Sequence, residues 1–96
     1  MKEIPKKLQP ILWSSSVDTL SPEKDAIPII HKVLAYGDMV GIKWLVNFYG
    51  KRRVIKIFLK DPMNLYTKQS FNFIKNFILG LEKVDLEEVK YVKTLY

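Results

Sequence analysis

The chain has 96 residues, 48% of them hydrophobic, a net charge of +6 and no cysteine. That length gives one domain with a single modest core, and that hydrophobic content excludes a disordered tail. The missing cysteines exclude a disulfide framework and a thiolate metal site, which fits an intracellular, cytoplasmic protein.

The first twenty residues read as an irregular arm. Pro5 and Pro10 interrupt any early helix. No apolar core of signal-peptide length follows the basic start, and no stretch approaches the ~20 apolar residues of a membrane span. Ile11, Leu12 and Trp13 form a short apolar run expected to dock as an extended arm, followed by the loop chemistry of Ser14 to Ser16 and Asp18.

Four helices follow. Pro28 is tolerated only in a first turn, so Asp25 is the expected N-cap of a helix over 25–36. Ile29, Ile30, Val33 and Leu34 give it an apolar face, and Gly37 ends it. Asp38 caps the next, over 38–49, and Gly50 supplies the left-handed stop. Only Lys43 and Asn47 form a polar stripe on this second helix, so it must be enclosed, and Trp44 is expected at the centre of the domain. A third helix over 51–60 divides sharply, with Val54, Ile55, Ile57, Phe58 and Leu59 on one side and Arg52, Arg53, Lys56 and Lys60 on the other. Asp61-Pro62 stops it. Thr67 caps a fourth helix over 67–79, with Phe71, Ile74, Phe77 and Ile78 as its core face and Gly80 as its stop. The tail over 85–96 reads as a further helix capped by Asp85, although its last eight residues are rich in strand formers. The fold expected is all-α: a compact bundle of four or five short helices, residues 1–96 in one domain, with an extended N-terminal arm.

The layout Ile11-Leu12-Trp13, Ile29 to Asp38, Trp44-Leu45, Tyr49-Gly50 and the amphipathic Phe71 to Leu79 resembles a small prokaryotic family of unknown function. The resemblance covers about Ile11 to Leu81. Its members are often encoded beside abortive-infection-type nucleotidyltransferase toxins, so it implies an antitoxin or toxin-partner role. This chain departs from the pattern at Ser14, where an acidic residue is usual, and in having Phe73 and Phe77 without a tryptophan.

Catalytic apparatus is not visible. His31 is the only histidine, reads as a surface or boundary residue beside Lys32, and cannot alone make a zinc site. The serines lie in no nucleophile elbow, Glu87 and Glu88 are adjacent and do not face each other on a helix, and the four glycines are too scattered for a phosphate loop. No cofactor or metal is therefore expected. The feature with functional weight is charge. Lys43 to Lys60 holds six cations and no acid, and the remainder of the chain is neutral. Arg52, Arg53, Lys56 and Lys60 are the candidate binding residues, for an acidic protein partner or for nucleic acid. Two short helices joined tightly resemble helix-turn-helix, but the turn is short for that motif and the basic helix offers no Asn, Gln or Ser to read bases. The expected function is a non-enzymatic interaction module, an antitoxin in the first instance, with a DNA-binding regulator as the alternative. Most aromatic residues, Tyr36, Phe48 and Phe77 included, are assigned to the core. Phe73, Tyr91 and Tyr96 fit it less well and, if exposed, would anchor a partner or a second copy of the chain.

Overall fold

The structure, a computed structural model, describes residues 8, 10–12 and 21–93. These residues form an all-α bundle: α1 (Ala26–Tyr36), α2 (Met39–Tyr49), α3 (Lys51–Lys60) and α4 (Lys68–Phe73), the last running directly into a π-helical turn, Ile74–Ile78. Trp13, Ser14 to Ser16, Leu20 and Tyr96 lie outside the described residues.

The helix boundaries follow local chemistry. The Asp38 carboxylate accepts the Gly41 N–H at 2.9 Å and the Thr67 hydroxyl accepts the Ser70 N–H at 3.0 Å. Both satisfy first-turn amides that have no partner inside the helix. Asp25 holds the N-cap position of α1 but turns its carboxylate backward, accepting the Ser21 N–H at 2.9 Å. The Ser21 hydroxyl in turn accepts the Lys24 N–H. A small turn is thus closed ahead of the helix. Gly50, at φ +89°, is the single residue between α2 and α3 and adopts a conformation that favours glycine.

Helices α1, α2 and α3 pack on one another. Leu8 and Leu12 bury completely against them from a tight turn in which the Leu12 N–H donates to Leu8 O. The centre of the domain is not Trp44. That side chain is half-buried on the flank of α2, stacked on Phe48 with ring centroids 5.0 Å apart. Alpha2 turns Gly41, Ile42, Leu45 and Tyr49 inward instead. Its apolar residues cover so much of the circumference that periodicity cannot select a side; the neighbouring helices do.

The centre is Phe58 of α3. Its ring lies 4.7 Å from Tyr91, 5.8 Å from Tyr66, 6.1 Å from Phe71 and 6.1 Å from His31. These rings come from the tail, the loop after α3, α4 and α1, so one buried aromatic group ties together distant parts of the chain.

Further expectations are corrected. The tail is not a helix. Glu88–Lys90 makes a single 3-10 turn, after which the chain pairs with the loop after α3: Tyr66 N–H donates to Tyr91 O and Lys93 N–H to Tyr66 O, both at 2.9 Å. This is a lone parallel bridge between Tyr66 and Val92. The Asn64 amide adds two bonds, to Val89 O and Val92 O. Tyr91 is therefore 2% exposed, the reverse of a free anchor. Phe77, expected inside, is 78% exposed. The chain there winds in wider turns, with Leu79 N–H reaching Ile74 O, and this displaces Phe77 from the α-helical stripe while Leu79 and Leu81 take its place in the core. Tyr36 is also more exposed than expected, with the Lys93 ammonium 5.5 Å from its ring centroid.

Candidate interaction surface

The basic helix holds its charges outward because Val54, Ile57 and Phe58 are buried in the core; Leu59, expected on the same side, is exposed. Arg52, Arg53, Lys56 and Lys60 line one shallow depression of about 460 Å³, with Ile57 and Asp61 completing it. The structure brings all four sequence-predicted residues together.

They are not equivalent. Arg53 donates to Glu23 Oε1 at 3.1 Å and its guanidinium carbon lies 5.2 Å from the centroid of the Tyr49 ring. It is anchored against the turn before α1. The Tyr49 hydroxyl donates to Pro22 O at 2.8 Å, and its pKa is pushed up to about 12, chiefly by burial, with the Arg53 charge opposing the rise. Arg53 is therefore the one cation lining the depression that already has partners, Glu23 and the Tyr49 ring. Arg52, Lys56 and Lys60 are exposed and have no carboxylate partner among the described residues. Their ammonium and guanidinium groups are open to an anionic partner.

The end of α3 shows what His31 does. Pro62 has no N–H, so Phe58 O loses the donor that would normally satisfy it from four residues on. The Tyr91 hydroxyl supplies that bond at 2.6 Å. Three residues later, Asp61 O accepts from His31 Nε2 at 2.7 Å. A carbonyl only accepts, so Nε2 carries the proton, and Nδ1 accepts from the Tyr66 hydroxyl at 2.7 Å. His31 is fully buried, not a surface residue. Burial holds its pKa below the ordinary histidine value, with the Asp61 backbone bond opposing. The Tyr66 and Tyr91 hydroxyls are both driven upward by burial. Both nitrogens of the only histidine are thus occupied in closing a helix end.

The sequence carried one sign of this: a proline directly after a helix deprives late carbonyls of donors, and a buried polar ring elsewhere is a candidate donor. Which ring answers is a tertiary matter. A second surface lies between α2 and the π turn, where Phe73, flagged from the sequence as a poor fit to the core, stands exposed beside Phe77, which the sequence had placed inside, their centroids 6.0 Å apart.

Among the described residues no group of three or more His, Cys, Asp and Glu could hold a metal ion, and no helix is long and apolar enough to cross a membrane. The profile of a family of unknown function (DUF6922) matches residues 8–58, slightly more than half of the chain. The matched span holds α1, α2 and most of α3, and stops short of α4. No curated protein and no solved structure matches the chain.

Proposed function

The chain belongs to that family of unknown function, and we propose that it is a non-enzymatic interaction module that holds an acidic protein partner against the outer side of α3. One observation carries this reading. Arg52, Lys56 and Lys60 project unpaired around a depression floored by Ile57, so carboxylates and a small apolar contact are accommodated together. Such a field speeds encounter and selects against basic partners. Arg53, paired with Glu23, borders the site. The occupation of both His31 nitrogens by structural hydrogen bonds supports a non-enzymatic role.

The family resemblance points to a partner: a nucleotidyltransferase-type toxin encoded nearby, which would make this chain a cytoplasmic antitoxin. The same charge supports DNA binding as the alternative. Against it stands the α2–α3 junction, a single glycine where helix-turn-helix proteins use three or four residues.

The test is coexpression with the product of the adjacent reading frame, for the parent chain and for a variant carrying Arg52→Glu and Lys56→Glu. The expected result is a complex that co-elutes with the parent and separates from the variant, circular dichroism showing both folded. Separate elution of the parent and its neighbour, together with retention of the parent on duplex DNA at low salt, would replace this reading with the regulator.

A further inference from the structure

Two depressions lie side by side between α2 and the segment formed by α4 and the π turn. One, of about 330 Å³, is lined by Met39, Ile42, Lys43, Val46, Asn47 and Ile78. Its neighbour, of about 310 Å³, shares Met39 and Ile42 and extends to Phe73 and Ile74. Met39 is 45% exposed, Phe73 42% and Phe77 78%. Met39 and Phe73 line the same depression and the Phe77 ring stands beside Phe73, so the three form one patch rather than scattered exposure. The π turn is a second sign. It is a rare departure from helical geometry that recurs at functional sites, and here it places Phe77 outside the core.

Charge decides what fits. Alpha2 and residues 68–78 carry Lys43, Lys68 and Lys75 and no carboxylate. The only acid on the rim is Asp38, one of whose oxygens already accepts the Gly41 N–H. A second copy of this chain would set like charges against each other across a two-fold axis, with +6 on each side. Two depressions sharing a wall suit apolar anchors one helical turn apart.

We propose that the groove between α2 and the π turn receives an acidic amphipathic helix of a partner protein, its apolar anchors entering the two depressions and its carboxylates facing Lys43. This deepens the interaction-module reading, on which it rests for the existence of a protein partner. It shares no lining residue with the depression on α3, so the two readings fail separately.

The experiment titrates the intact chain with a designed peptide of about 18 residues, long enough to populate a helix. It carries leucines at i, i+3, i+4 and i+7 and glutamates on its other faces. Methyl resonances of Met39, Ile42, Val46 and Ile78 are followed at physiological ionic strength, where charges more than ~8 Å away are largely screened. The expected result is saturable shifts at these methyls, and affinity falling about tenfold or more in Met39→Lys, which changes a residue lining both depressions, and in Phe77→Ser, which removes the ring beside Phe73. The variant with Arg52→Glu and Lys56→Glu should bind within about threefold of the parent, because those groups lie outside the groove. Absence of binding, equal binding of a scrambled peptide, indifference to both groove variants, or a dimer in sedimentation that Phe77→Ser dissociates would each overturn the proposal. With the co-encoded protein, a complex lost in Phe77→Ser but kept on charge reversal of α3 refutes the α3 reading alone; the opposite pattern refutes the groove.

Discussion

Replacing Tyr91 by phenylalanine tests the account of how α3 ends. The substitution keeps the ring, which packs 4.7 Å from Phe58 and 4.9 Å from Phe71, and removes only the hydroxyl that donates to Phe58 O. That carbonyl is buried, and Pro62 offers it no N–H, so none of the described residues is placed to replace the bond. Leaving a buried acceptor without a donor costs about 1–3 kcal/mol. In a domain of this size each 1 kcal/mol lowers Tm by about 4–8 °C. Urea unfolding followed by far-ultraviolet circular dichroism, with the slope unchanged, reads the loss directly. Tyr91→Ala sets the scale, since removal of the ring adds a cavity cost and brings the total to about 3–5 kcal/mol. A Tyr91→Phe protein as stable as its parent would mean that Phe58 O does not depend on the tail, and the explanation of the helix end would be wrong.

Stability should also depend on pH through His31. Its folded-state pKa is lowered by burial, so the unfolded chain takes up a proton first as pH falls below the ordinary value near 6.5. Full stability is therefore present above that pH and declines below it. His31→Gln should be less stable at pH 7.5, and the gap to the parent should narrow on acidification; a constant gap between pH 7.5 and 5 would refute this. Gly50→Ala places a side chain at φ +89°, where no atom lies within 4 Å of the new Cβ, so the whole cost is conformational, about 1–2 kcal/mol by thermal melting. A melt unchanged within error would show that the α2–α3 junction tolerates another backbone geometry. Glu23→Gln should leave stability within about 1 kcal/mol, because the pair with Arg53 is largely exposed. It should also tighten binding of an acidic partner to the α3 depression by freeing a fourth cation, and weaker binding would show that Arg53 must be held by Glu23.

Alpha3 and its surroundings divide what is local from what is not. The caps at Asp38 and Thr67, the stops at Gly37, Gly50 and Gly80 and the two-sided third helix are all short-range facts. Each depends on residues within one turn of the feature it explains, and each was legible in the sequence. The outward face of Arg52, Lys56 and Lys60 was legible for the same reason, since a strongly amphipathic helix leaves no doubt about which side is buried. Alpha2 is the opposite case. With Met39, Ile42, Trp44, Leu45, Val46, Phe48 and Tyr49 around it, hydrophobicity could not choose between the Trp44 side and the Leu45 side.

The sequence by itself determined the all-α class, where the first three helices begin and end, where the fourth begins, and where positive charge gathers. Tertiary structure alone decided that Phe58 is central, that His31 and Tyr91 are interior, that the tail pairs with Tyr66 and that Phe77 stands outside. Phe77 is turned outward by the wider winding of the π turn; for the interior His31 and Tyr91 and the paired tail the physical reason is a shared one. The carbonyls at the end of α3 need donors that their own neighbours cannot supply, and the groups that meet the need lie about thirty residues away in both directions. Hydrogen bonds of that span exist only once the chain has closed upon itself, so no local pattern records them.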